Sequence, residues 1–153
     1  MAKKVRVILE RESMKDPEIK KELDKIYRRA QRYFNSLLIP DEDIVLELAK
    51  ETVELVQKMV DRRREIIFAY NKETRDWEMV RPAEDILGDK ERAVLGDKIL
   101  YALEELEVPV SRSQELVLWG ILKMWFDKLN MLLYEKARER MKEGSYWALE
   151  SDM

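Results

Sequence analysis

Cysteine and histidine are absent from this sequence, and glycine and proline number four each among 153 residues. Without cysteine there is no disulfide, no thiolate metal site and no thiol nucleophile. Without histidine there is no imidazole ligand, no histidine acid or base and no catalytic triad. Enzymatic chemistry would have to rest on carboxylates, Lys, Tyr or Ser. Long apolar runs are missing too. The most apolar stretch, Glu115 to Tyr134, holds Lys123, Asp127 and Lys128, which disfavours a membrane span. The basic start of the chain has too short an apolar part for a signal peptide. No phosphate loop, dinucleotide fingerprint or zinc pattern is present, and no cofactor is expected.

What remains is an ordinary apolar share, 46%, beside a high charged share, 40%, with a net charge of only −3. Those values predict one folded domain rather than disorder. Abundant Lys, Arg, Glu and Asp with little Gly suit the surface ion networks of a thermophilic protein. The charges are segregated. Residues 1–38 carry eleven Lys/Arg against six Asp/Glu, and residues 39–110 carry eleven against nineteen. Residues 111–153 carry seven of each. A basic front end on an acidic body points to partner binding.

The periodicity predicts a mainly α fold: an up-down bundle of about four helices. Residues 1–15 form a basic arm or a short strand, since Val5, Val7 and Leu9 alternate. A first helix follows from Asp16, a candidate N-cap before Pro17. It carries Ile19, Leu23, Ile26, Ala30, Tyr33 and Leu37 in steps of four and three. A second helix starts at Asp41-Glu42-Asp43, acids that complement its dipole, and ends between Arg64 and Tyr70. Residues 66–80 read as a short β-hairpin or as a frayed helix end with a loop. A third helix covers Asp89 to Leu106. A fourth runs from a capping box at Ser111 and Gln114 to a stop at Gly144. From Leu116 to Tyr134 it is apolar almost all round, which predicts both a central position and a subunit interface. Trp119, Trp125 and Phe126 on this helix, with Trp147 in the tail, are the expected interface anchors.

The candidate functional pattern is the back of the first helix. Lys21, Lys25, Arg28 and Arg32, with Arg29 beside them, lie opposite the apolar stripe and form a ribbon roughly 17 Å long. Such a row neutralises phosphates without reading bases. A solvated face, paired at its edges by Glu18, Glu22 and Asp24, is the plainer reading. Arg62, Arg63 and Arg64 form a second basic cluster. Arg63 points along the second helix's apolar face, where it needs an ion pair or an anionic partner.

Glu51-x-x-Glu54, followed by Leu95-Gly96-Asp97-Lys98-Ile99-Leu100-Tyr101-Ala102-Leu103, resembles the MazG-like all-α nucleotide pyrophosphohydrolases. That family uses Glu-x-x-Glu on one helix and Glu-x-x-Asp on the next to bind Mg²⁺ around a triphosphate. The resemblance implies Glu51, Glu54 and Asp97 as metal ligands; Val94 stands where the second motif has its Glu. The leading expectation is different: a non-enzymatic, oligomerising structural protein that lies along a nucleic-acid backbone. Coat, packaging or replication accessory subunits are of this kind, in a cytoplasmic or intracellular assembly or a virion. The expected partners are nucleic acid and a second copy or paralogous subunit. A protein–protein adaptor is the third reading.

Overall fold

A computed structural model describes residues 3–81, 86–143 and 147–151. The chain is mainly helical with a small antiparallel sheet. The elements are β1 (Lys3–Leu9), α1 (Glu12–Lys15), α2 (Pro17–Ser36), α3 (Glu42–Val60), β2 (Arg64–Asn71), β3 (Asp76–Arg81), α4 (Asp89–Glu105), α5 (Arg112–Glu143) and β4 (Trp147–Ser151). The sheet order is β3-β2-β1-β4, and every neighbouring pair is antiparallel. No helix among the described residues is long and apolar enough to cross a membrane.

The helix starts follow their caps. The Asp16 carboxylate accepts the Glu18 N–H at 2.8 Å, and Asp41 accepts the N–H groups of Asp43 and Ile44. The Ser111 hydroxyl accepts the Gln114 N–H at 3.3 Å while the Gln114 carboxamide accepts the Ser111 N–H at 2.9 Å, a reciprocal capping box. The α2 stripe from Ile19 through Leu37 is buried as its spacing requires.

An up-down bundle alone does not describe the architecture. Helix α2 packs on α3 and α5, and α4 packs on α3 and α5, but β1 also packs on α5. Of the two readings of residues 66–80 the hairpin is the one present, as β2 and β3, turned at Asn71, whose carboxamide oxygen accepts the Glu73 and Thr74 N–H groups. The N-terminal segment is not a free arm. β1 lies at the middle of the sheet, with Val5, Val7 and Leu9 buried beside Ile66 and Phe68 of β2. Helix α3 ends at Val60, earlier than its apolar period suggests. The β-branched run from Ile66 satisfies a strand as well as a helix, and pairing with β1 decides for the strand.

Buried polar groups fasten these elements to α5. The Asn130 carboxamide accepts the Leu87 N–H at 2.5 Å and donates to the Leu87 carbonyl at 3.0 Å. Arg140 donates to the Ile8 carbonyl at 2.9 Å and pairs with buried Glu12 at 2.5 Å. The Lys136 ammonium meets Asp16 at 2.8 Å and Glu18 at 3.5 Å. Burial pushes the Asp16 carboxyl up, but the hydrogen bond and charge of Lys136, with the Glu18 and Ile19 N–H groups, outweigh it and hold the pKa below its ordinary value.

Two outcomes follow from these ties. Asn130→Ala leaves both polar groups of Leu87 unpaired in the core, so urea unfolding should show a loss of about 2–4 kcal/mol with unchanged denaturant slope. A carboxyl whose folded pKa is depressed adds stability above its unfolded pKa and loses it as pH falls through the folded value. Asp16→Asn should therefore be less stable than the native chain near neutral pH, and the gap should close below about pH 4. Urea midpoints measured across that range check the sign.

Candidate nucleic-acid interface

Helix α2 is amphipathic because its apolar residues recur every three or four positions and its cations fall between them. With Ile19, Leu23, Ile26 and Ala30 turned into the core, Lys21, Lys25, Arg28 and Arg32 are exposed on the opposite side. The structure thus brings the four into one row. Lys25 stands 3.8 Å from the Glu22 carboxylate. Arg29 is drawn partly inward, 4.0 Å from the same carboxylate. Glu22 is itself buried, so this pair belongs to the helix edge rather than to the ribbon. Lys21, Arg28 and Arg32 have no ion partner among the described residues. Edge pairing accounts for Lys25 and Arg29, and Glu18 is taken by Lys136. Three full cationic charges are left facing solvent along one line.

The second basic cluster divides. None of its three residues lies on α3, so Arg63 does not point along that helix's apolar face; the chain has turned at Asp61, the helix C-cap. Arg64 opens β2 with its side chain only 11% exposed. Its guanidinium donates to the carbonyls of Val60 and Arg62, each at 3.0 Å, and to that of Met59, and it pairs with Glu91 at 3.2 Å. These bonds close the open carbonyl end of α3. Burial draws the Arg64 pKa down, opposed by the Glu91 carboxylate. Arg64 is therefore a structural residue, and its assignment to a binding surface is corrected. Arg62 and Arg63 are exposed, at 4.0 Å from Glu91 and 3.7 Å from Glu65. Pairs of that length at the surface are weak.

The carboxylates of the pyrophosphohydrolase resemblance are all exposed: Glu51 and Glu54 on α3, Asp97 on α4. A cleft between those helices is lined by Glu47, Glu51 and Glu105 over Ile44, Leu48 and Leu106, without Glu54 or Asp97. Among the described residues no group of three or more carboxylates is placed to hold a metal ion.

The expected interface anchors also move. Trp125 and Phe126 are fully buried within the chain's own core. Trp119 is half-buried against α4, where Gly96 makes room: a Cβ at Gly96 would stand 2.6 Å from the indole. Trp147 enters β4 opposite Arg6, and its side chain lies outside the described residues. The apolar surface that α5 does expose is Leu116 (58%), Val117 (54%), Met124 (40%) and Met131 (64%). This set was not legible in the sequence, because period alone does not tell which side of an apolar helix its neighbours cover. The sequence reading passed over Asn130 as well, though an uncharged amide within so apolar a stretch was a visible signal.

Comparison of the chain with protein-family models, with curated proteins and with solved structures gives no match in any of the three.

Arg64 and Arg63 separate structure from surface. Arg64→Ala uncaps α3 and leaves Glu91 only its longer pair with Arg62, so its unfolding free energy in urea should fall by about 2–4 kcal/mol. Arg63→Ala should stay within about 0.5 kcal/mol of the native chain.

Proposed function

We propose that this chain is a non-enzymatic, self-associating structural protein that lies along a nucleic-acid backbone, of the coat, packaging or replication accessory kind. The observation that carries the reading is the row on α2: Lys21, Arg28 and Arg32 exposed and without an ion partner among the described residues, with Lys25 between them. A polyanion gains by releasing counterions along such a row. The acidic excess lies in residues 39–110, so the cationic excess is concentrated in the first elements of the chain. Phosphate contacts of this type position a duplex or a single strand without reading its sequence. The missing histidine and cysteine fit a structural role, and the exposed apolar side of α5 supports self-association.

Shared ions support the accompanying proposal of a protein built for high temperature. Glu65 bridges Arg6 and Arg63, Glu91 bridges Arg62 and Arg64, Glu22 bridges Lys25 and Arg29, and Lys136 bridges Asp16 and Glu18. Such networks gain weight as temperature rises.

The test is affinity for a duplex of mixed sequence, measured by fluorescence anisotropy at several salt concentrations. Each phosphate contact adds about 0.9 to the slope of log affinity against log salt. Arg28→Ala with Arg32→Ala should lower that slope by roughly two units, about equally for unrelated sequences. Folding should survive, because both side chains face away from the core. An unchanged slope, or no binding by the native chain at low salt, overturns the reading and leaves the protein–protein adaptor.

A further inference from the structure

Helix α5 presents two complementary features on its solvent side. One is a pair of apolar knobs, Leu116 and Val117, near the helix start. The other is a mainly apolar groove of about 350 Å³ further along, lined by Met79, Ile86, Met131 and Tyr134 together with Asp127 and Asn130. At about 100° per residue, Leu116, Asp127 and Tyr134 share one line along the helix to within about 20°. Val117, Met124 and Met131 make a second line beside it, spaced seven by seven about Met124. Leu116 lies about 12 Å before Met124, and the α5 residues of the groove span about 4–15 Å after it.

A two-fold axis through Met124, perpendicular to the helix, maps the knob of one molecule onto the groove of another. From this we infer that α5 is a dimer helix: two copies of the chain pack their α5 helices antiparallel, Met124 against Met124 and Val117 against Met131, with Leu116 of each in the groove of the other. The proposal rests on the self-association reading above and gives it a geometry. An isologous contact needs a surface complementary to itself, and a knob and a groove at equal distances from one residue meet that need. A different partner would require only one of the two.

Charge agrees with this occupant. Lys123 and Asp127 sit on the same flank, and neither has an ion partner among the described residues. Reversing one helix about Met124 brings Lys123 of each copy to within about 3 Å, measured along the axis, of the partner's Asp127. Two opposite-charge pairs form across the dyad; the two Lys123 side chains stand equally close to each other along the axis, about 3 Å, and the two Asp127 about 9 Å apart, so the flank is neutral overall. Gly120 adds clearance, since nothing lies within 4 Å of a Cβ built there. A glycine on the line facing the partner lets two helices approach closely.

Because the chain has no cysteine, introduced thiols report the arrangement without background. Met124→Cys places two thiols on the dyad, and mild oxidation with oxidised glutathione should link most of the protein as dimer. Glu54→Cys, on an exposed face of α3, should stay unlinked. Val117→Cys alone should not link, but mixed with Met131→Cys it should. Sedimentation of the native chain at micromolar concentration should give twice the 18.4 kDa protomer mass. Leu116→Glu should sediment as protomer while keeping its helical circular dichroism. A native chain that sediments as protomer overturns both the geometry and the self-association reading. A native dimer in which Met124→Cys links no better than Glu54→Cys overturns the geometry alone.

Discussion

The fold depends on the inner face of α5 being covered from both ends of the chain. Leu118, Leu122, Trp125, Phe126, Leu129, Leu133, Ala137 and Met141 bury one side of a 32-residue helix. No single neighbour is long enough to cover it. α2 and α4 flank it, and the sheet reaches it through β1. The specific polar ties follow the same plan. Ile8 and Glu12 bond to Arg140, Asp16 to Lys136, Asp76 to Arg138 and Leu87 to Asn130. Each partner on α5 holds a different segment, so hydrophobic burial supplies the driving force and these ties set the register. The arrangement also makes β1 and α1, the first elements of the chain, dependent on the last turns of the last long helix.

Scarce glycine leaves a trace in the backbone. Arg11, Leu38, Arg75 and Glu107 all have positive φ, between 52° and 58°, in the left-handed region where glycine is at ease. At Glu107 the helix α4 closes with the Val108 N–H on the Leu103 carbonyl and the Glu107 N–H on the Glu104 carbonyl. That is the double bond of a Schellman ending, built without its usual glycine. Each such residue costs roughly 1–2 kcal/mol of local strain, which the hydrogen bonds and packing around it must offset. Gly96 is spent elsewhere, where the Trp119 indole leaves no room for a side chain.

Much of the helical layout was legible in the sequence because its signals are local. Asp16, Asp41 and the Ser111–Gln114 box marked three helix starts, and the α2 stripe marked its buried face residue by residue. The basic row followed from the same period, since a helix face opposite a stripe is geometrically determined. The sheet was harder. Seven alternating residues at the front of the chain announce a strand but not its partners, and β1 pairs with segments about sixty and more than a hundred and forty residues away. Arg64 illustrates the same limit. Three consecutive arginines read alike in sequence, yet the third turns inward because the open carbonyls of α3 and Glu91 meet there. Trp125 and Phe126 read as interface anchors for a related reason: periodicity finds an apolar side, and the packing of α2, α4 and β1 decides which side stays uncovered.

The two surfaces proposed for partners make different physical demands. The α2 row acts through long-range charge, and its strength falls as salt rises, because counterion release is its source. The α5 face acts through apolar burial, which salt does not weaken in that way, with Lys123 and Asp127 setting register rather than supplying most of the energy. An assembly that uses both would not need a strong row on each subunit. Two rows carried on one such dimer would engage a backbone together, the second at a high effective concentration once the first is bound. Three cations on the α2 row without an ion partner among the described residues are a modest electrostatic endowment for a monomer on an acidic body. Doubled on the proposed dimer they become six, and this would tie the self-association proposed for α5 to the function proposed for α2.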